Sequence, residues 1–198
     1  MNAFKITLLA TALLAATPLV ARAESTFTSG AGPLTATARL DFQVTIPKIL
    51  LLQVGAAGSI NRIDFDLSGV PSVVGDGTAV GATAGSGDLG NGTVTAILKG
   101  NNGNITLSSA TTGALTNGAA GDTISYSEIV ASTSNAALPS PALADTGTTS
   151  ATVAATGKVV NQTAQWTYKY ANTAIMAPGV YGGTNINNSR VTYTASMP

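Results

Sequence analysis

The sequence predicts an all-β protein built as an antiparallel β-sandwich, and three observations support this fold class. Charged residues make up only 9% of the chain, so the Glu, Lys and Arg side chains that usually coat helices are scarce. Thr, Val, Gly and Asn are abundant instead, which is typical of strands joined by turns. Apolar and polar residues alternate over several runs, whereas no run has a convincing helical period. About eight such strands without an amphipathic helix favour a sandwich.

The longest alternating run covers residues 34–46, which we call the alternating segment. Its apolar positions are Leu34, Ala36, Ala38, Leu40, Phe42, Val44 and Ile46. Strict period 2 over thirteen residues predicts a strand with one buried face. Pro47 then interrupts the ladder because it lacks an amide donor, and residues 48–54 form a nearly all-apolar run that is typical of a central strand.

Shorter strands are expected between turns along the rest of the chain. Residues 63–67 alternate, and residues 93–99 and 104–108 flank the turn Gly100-Asn101-Asn102-Gly103, a pattern that predicts a β-hairpin. Later strands are predicted over residues 123–131, 152–160, 163–171 and 190–195. The Gly-rich residues 75–92 and the Ser, Ala and Pro-rich residues 132–149 are expected to be long loops.

The first 23 residues have the pattern of a secretory signal peptide. Lys5 supplies the positive charge, a short apolar run follows, and Ala21-Arg22-Ala23 has the small-x-small pattern of a cleavage site. Later apolar runs are too short to span a bilayer. We therefore expect residues 24–198 to form one exported domain without a membrane span.

Composition excludes several kinds of chemistry. The chain has no cysteine and no histidine, which removes disulfides, thiolate and imidazole metal sites, and Ser-His or Cys-His nucleophiles. Its few basic residues are scattered, so no nucleic-acid partner is expected. Asp64 and Asp66 share a strand face but complete neither a calcium loop nor a glycosidase pair. We therefore expect no enzyme activity, no metal and no cofactor.

Three aromatic residues lie on one face of the strand predicted over residues 163–171. Trp166, Tyr168 and Tyr170 occupy alternate positions, as the centre of a sandwich core requires. The same side chains also suit an exposed platform that stacks on sugars. The core is the interpretation that we favour, and the sugar platform is the alternative.

The C-terminal region resembles the last strands of bacterial chaperone–usher fimbrial subunits, including those related to spore coat protein U. The segments that carry the resemblance are Trp166-Thr167-Tyr168, Pro178-Gly179-Val180-Tyr181-Gly182-Gly183 and Val191-Thr192-Tyr193-Thr194. In those pilins, a Gly-x-Tyr corner leads into a final strand with an aromatic residue near its end. Residues 40–54 are similar to their first strands.

This resemblance implies an immunoglobulin-like sandwich, either complete in itself or completed by strand exchange. In such pilins, an extended N-terminal segment of the next subunit fills an open groove. Here the alternating segment is the candidate donor strand, and Trp166, Tyr168, Tyr170, Tyr181 and Tyr193 are the candidate groove or core residues. The implied partners are like subunits or further copies of the chain, with a periplasmic chaperone and usher.

The function expected from the sequence is that of an exported structural subunit of a surface fibre, which passes through the periplasm to the cell surface or fimbria. The alternative is a monomeric cell-surface binding module, an adhesin or carbohydrate binder. That module would use the loops expected at residues 75–92 and 132–149.

Overall fold

The computed structural model describes residues 25–119 and 121–198. The signal peptide expected over residues 1–23, and its cleavage site, lie outside the described residues. The chain divides into two units, one ending at Ile46 and a compact one from Pro47 to Pro198.

Short strands make up the compact unit, and every ladder among them is antiparallel. The strands are β1 (Leu50–Val54), β2 (Val80–Gly81), β3 (Thr93–Gly100), β4 (Ile105–Ala110), β5 (Leu115–Thr116), β6 (Thr123–Ile124), β7 (Ile129–Thr133), β8 (Thr148–Val153), β9 (Val160–Tyr170) and β10 (Thr192–Ser196). Two single-turn 3₁₀ helices, Pro71–Val73 and Tyr126–Glu128, interrupt the connections. This arrangement confirms the predicted all-β, antiparallel class.

Two sheets carry the fold. The first has the order β1-β3-β9-β2, with β7 also pairing with β9, and the second has the order β10-β4-β8. Strands β5 and β6 form a small separate ribbon. Each long strand alternates inward apolar and outward polar residues, so both sheets turn one face to the same interior.

The core lies between the two sheets. The first sheet contributes Val94, Ala96, Leu98, Ala164 and Trp166, and the second contributes Ile105, Leu107 and Val153. Leu98, Ile105, Leu107 and Trp166 are fully buried. The sandwich-like arrangement follows because each sheet hides its apolar face against the other.

Residues 134–147 close one side of this core. Leu138 and Leu143 are buried there, and the Trp166 indole Nε1 donates a hydrogen bond to the Leu138 carbonyl at 3.0 Å. Ser109 Oγ donates to the Ala142 carbonyl at 2.8 Å. The segment predicted as a free binding loop over residues 132–149 is therefore a covering connection, because it carries apolar residues into the core.

The turn at residues 100–103 reverses the chain without forming the predicted hairpin. Strand β3 pairs with β1 and β9, whereas β4 pairs with β10 and β8. The prediction was wrong because turn chemistry fixes the reversal but not the partners. The inner faces of both flanking strands are largely apolar, with Ser109 the buried polar residue of β4, so the two strands oppose each other across the core instead of sharing a ladder.

Other strand predictions also differ from the structure. Residues 123–131 contain β6, a 3₁₀ helix and the start of β7, and residues 152–160 contain only the end of β8 and the first residue of β9. Residues 63–67 form no strand, since their backbone partners lie in the loop around residues 83–87: Thr83 N donates to the Asp64 carbonyl and Gly87 N to the Arg62 carbonyl. Strand β1 lies at a sheet edge and is not central, because β3 is its partner and its other edge has none among the described strands.

The N-terminal unit, described from residue 25 to 46, has no strand. The strand predicted over residues 34–46 is therefore not formed here, because alternation gives a segment the ability to pair but does not provide a partner. Thr26 Oγ1 donates to the Thr37 carbonyl at 2.8 Å and Thr28 Oγ1 to the Thr35 carbonyl at 3.4 Å. Residues 26–37 thus fold back on themselves around a bend at residues 31–32.

Candidate strand-docking site

Strand β10 presents an open edge. It forms a ladder with β4 over Thr192 to Ser196, and no described strand pairs with its other side. The backbone groups on that side are a template for another strand. The inner-face side chains of β10 and its flanks pack on the core but are only partly buried: Val191, Tyr193, Ala195 and Met197.

Strand β1 presents a second open edge on the other sheet. Its inner face contributes the partly buried Leu52 and Val54, whereas Leu50 and Leu51 are exposed, at 41% and 47%. Strands β1 and β10 come within 8 Å of each other between Cα atoms, yet no ladder joins them. We call these two neighbouring free edges the acceptor edges.

Burial decreases toward the acceptor edges. The inner residues of β3 and β4 are 0–4% exposed, whereas those of β1 and β10 remain partly exposed. Residues 134–147 cover the core beside Trp166 and Ser109. The unpaired edges of β1 and β10 leave the apolar side chains beside them partly exposed. Apolar area left uncovered beside unpaired backbone is what an added strand would bury.

An aromatic network supports β10 from beneath. The rings of Trp166 and Tyr193 lie 5.5 Å apart between centroids, and the hydroxyls of Tyr168 and Tyr193 share a hydrogen bond of 2.8 Å. These contacts connect β9 in one sheet to β10 in the other. Burial raises the pKa of both phenols, most strongly that of Tyr193, so both remain neutral at ordinary pH.

The other candidate aromatic residues have different surroundings. Tyr170 is buried, with its ring 6.2 Å from that of Phe65. Tyr181 lies in the loop before β10, where its hydroxyl donates to the Ala177 carbonyl at 2.9 Å. The structure thus brings Trp166, Tyr168 and Tyr193 together and leaves Tyr181 outside that cluster. Buried rings at Trp166, Tyr168 and Tyr170 offer no face for a sugar.

The turn at residues 100–103 holds both acceptor edges at one end. The Asn101 amide accepts a hydrogen bond from Ile49 N at 2.9 Å and donates one to the Pro47 carbonyl at 2.8 Å. Asn102 Nδ2 donates to the Pro198 carbonyl at 2.5 Å. The chain that enters β1 and the chain that leaves β10 therefore meet at the same end of the sandwich, a role that the Asn-Gly pattern did not reveal.

The alternating segment is the complementary feature. All its side chains are exposed, including Leu40, Phe42, Val44 and Ile46 at 76–85%. A seven-residue run with four large apolar side chains in water is a liability unless a partner covers it.

Four aspartates, Asp64, Asp66, Asp76 and Asp88, have local roles. Asp64 forms an ion pair with Arg62 at 2.7 Å. Asp66, Asp76 and Asp88 accept backbone hydrogen bonds from Ser68, Thr78 and Thr95 at 2.7–2.9 Å. The hydrogen bonds from Ser68 lower the pKa of Asp66. In the described part of the chain, no cluster of metal-ligating side chains occurs, and no helix there has the length and apolar character to cross a bilayer.

An open cavity of about 410 Å³ lies beside the start of β10. Its lining includes Thr111, Thr112, Arg190 and the loop residues 185–189. Ser189 Oγ, in that loop, is buried without a hydrogen-bond partner among the described residues.

Comparison of the chain with protein-family models, with curated proteins and with solved structures finds no match.

Proposed function

We propose that this protein is an exported structural subunit of a surface fibre, which assembles when the alternating segment of one copy pairs with the acceptor edges of another. The observation that carries the proposal is the coexistence of two unmatched features in one chain. A sandwich has a free edge with partly covered apolar residues, and an exposed segment has the strict alternation needed to cover them.

The strand order supports an immunoglobulin-like assignment. In that fold, strands A, B, E and D form one sheet and strands C, F and G form the other. Here β1, β3, β9 and β7 are neighbours in the order of A, B, E and D, and β4 and β10 pair as C and F do, whereas β2 and β8 are additional to this order. The position of strand G, beside the free edge of β10, is vacant among the described strands.

Polymerisation follows if the vacancy is filled in trans. Each copy offers one donor segment and one acceptor, so the contact is heterologous and leads to an open chain unless rotation closes a ring. A bacterial periplasmic chaperone and an usher are the proposed partners in transit, because an exposed edge and an exposed apolar segment both need protection before assembly.

An SDS gel of the exported, purified protein, run with and without boiling, tests this function. Inserted strands dissociate slowly because a full ladder and several buried side chains must separate together. We expect a ladder of multimers that collapses to monomer on boiling. Deletion of residues 24–46 should abolish the ladder, and addition of a peptide of residues 34–46 should stabilise the truncated protein. Monomer in both lanes would contradict the proposal.

The cavity beside β10 supports one alternative, a monomeric binding module. The Arg190 cation in its lining and the unpartnered Ser189 hydroxyl suit a small anionic ligand such as an acidic sugar. A glycan array separates the two functions. Binding by the wild type that is lost in Arg190→Ala, together with monomeric behaviour on the unboiled gel, would favour the binding module.

A further inference from the structure

We infer that the strand-exchange plug is confined to residues 40–46 and that it acts on a second copy of the chain. This inference rests on the proposed function and specifies its donor. Residues 34–38, although they continue the same alternation, belong to the fold-back of the N-terminal unit and contribute no plug side chain.

The first argument is that the alternating segment has two different halves. The carbonyls of Thr35 and Thr37 already accept the hydroxyls of Thr28 and Thr26, so the backbone of the first half is partly occupied. Its apolar side chains at 36 and 38 are alanines, which bury little area. Within the described residues, the second half has no such internal bond, and each of its four apolar side chains is large.

The second argument is a match of lengths. The inner face of β10 and its flanks offers four positions: Val191, Tyr193, Ala195 and Met197. The second half of the segment offers four apolar side chains at alternate positions: Leu40, Phe42, Val44 and Ile46. Both runs are seven residues long, or about 23 Å when extended, whereas the whole thirteen-residue segment would exceed the acceptor by about 20 Å.

The third argument concerns the attachment point. Ile46 directly precedes Pro47, whose carbonyl and neighbouring amide are held by Asn101. The end of β10 lies at the same turn, through the bond from Asn102 to Pro198. Because residues 40–46 are joined directly to Pro47, they can reach the β10 edge of their own chain only as a parallel strand. Parallel pairing is slightly less stable per residue than antiparallel pairing.

A second copy is free of that constraint and can pair antiparallel. Leu40 would then lie opposite Met197 and Ile46 opposite Val191, so that all four apolar side chains of residues 40–46 enter the interior of the sandwich. The occupant of the acceptor edges is therefore residues 40–46 of another molecule of this chain.

Charge substitutions in the full-length exported protein test the extent of the plug. We expect Phe42→Asp to reduce the SDS-resistant multimers at least about tenfold, because insertion would then bury a carboxylate in place of an apolar side chain. Ala36→Asp should leave the multimers within about twofold of the wild type, and so should the outward-facing control Gln43→Asp. All three positions are exposed, so thermal melts should show an unchanged fold.

Each outcome is informative. If Ala36→Asp also removes the ladder, the plug is longer than residues 40–46 and this inference fails while the proposed function stands. If the multimers persist in Phe42→Asp, a different surface joins the subunits and the inference fails. A wild type without multimers overturns the proposed function itself.

Insertion of a flexible linker of eight Gly and Ser residues between Ile46 and Pro47 tests the trans arrangement. The added slack spans about 16 Å as a flexible chain and more when extended, which lets the plug turn back antiparallel on its own β10. We expect the multimers to convert to monomers with a raised melting temperature. Multimers that persist at wild-type level would contradict the role of the short attachment.

Discussion

Replacement of Tyr193 separates the contributions of its ring and its hydroxyl to the acceptor edge. Tyr193→Phe keeps the ring contact with Trp166 and removes the hydrogen bond to Tyr168. A typical hydrogen bond contributes about 1 kcal/mol net, and Ser140 remains close enough to bond the Tyr168 hydroxyl. We expect a loss of about 1 kcal/mol, or about 2–4 °C in melting temperature for a chain of this size.

Tyr193→Ala removes the ring as well and leaves a cavity against Trp166. Large-to-small aromatic substitutions in cores cost about 3–5 kcal/mol, and because Tyr193 is only partly buried the lower end applies. The expected drop is about 6–12 °C. The β10 edge should also lose order, which would appear as faster hydrogen exchange at the amides of β4 that bond β10.

Urea unfolding followed by tryptophan fluorescence is the assay, with Tyr181→Phe as the matched control. Tyr181 bonds only within its own loop, so its variant should change stability by less than about 0.5 kcal/mol. Equal losses in Tyr193→Phe and Tyr193→Ala would refute the reasoning, since the ring would then contribute nothing to the core.

Three further outcomes are expected. Burial and the nearby Asp145 raise the pKa of Tyr126 to about 12. Because this folded-state pKa exceeds the unfolded value of about 10, the contribution of Tyr126 to the free energy of unfolding is complete below pH 10. It is lost as the pH rises toward 12. Urea titrations at a series of alkaline pH values measure this, and stability that is flat through pH 12 would contradict it. Asn172 is buried at φ +57° with its amide bonded to Val73, Gly75 and Thr78. Asn172→Ala should therefore lower the free energy of unfolding by about 3 kcal/mol. Asn172→Gly should lower it by about 1 kcal/mol less, since glycine accepts positive φ. Equal melting temperatures of the two variants would show that the positive φ contributes nothing. Asn101→Ala should destabilise by about 1–2 kcal/mol and speed hydrogen exchange at Ile49 N, and an unchanged exchange rate there would show that the amide does not hold the chain entering β1.

Strand β9 was predictable because its alternation is combined with bulky aromatic residues on one face. In β9, Trp166, Tyr168 and Tyr170 share one face, and the structure buries all three. A period of two residues places the bulky aromatic side chains on one face of the strand, and in a β-sandwich that face packs against the core.

Pairing partners were not predictable in the same way. The Asn-Gly turn at residues 100–103 indicated a hairpin, but the apolar inner faces of β3 and β4 place them in opposite sheets. Local turn chemistry is equally compatible with both arrangements, so only the competition among all strands for edges decides. The buried connection at residues 134–147 was missed because its apolar residues, Leu138 and Leu143, are too few to form a period.

For the candidate site, the alternating segment shows that a sequence pattern does not predict which strand a segment pairs with. Its sequence predicts a strand, and the described chain contains no strand that pairs with it. The acceptor edges could not be located from sequence, since an unpaired edge is a property of the sheet order and has no signature in β10 itself.

Disulfide trapping between two different copies tests the central claim most directly, and the absence of native cysteine makes the result unambiguous. Gln43→Cys and Thr194→Cys, at the centres of the plug and of the β10 edge, are placed in separate chains of different mass and mixed under mild oxidation. We predict a covalent heterodimer on a non-reducing gel, since paired strands bring their Cα atoms to about 4.5–5.5 Å. The control replaces Thr194→Cys by Thr152→Cys, an exposed position on β8 at the far edge of the same sheet. A heterodimer yield no greater than that of the control would contradict strand exchange at β10.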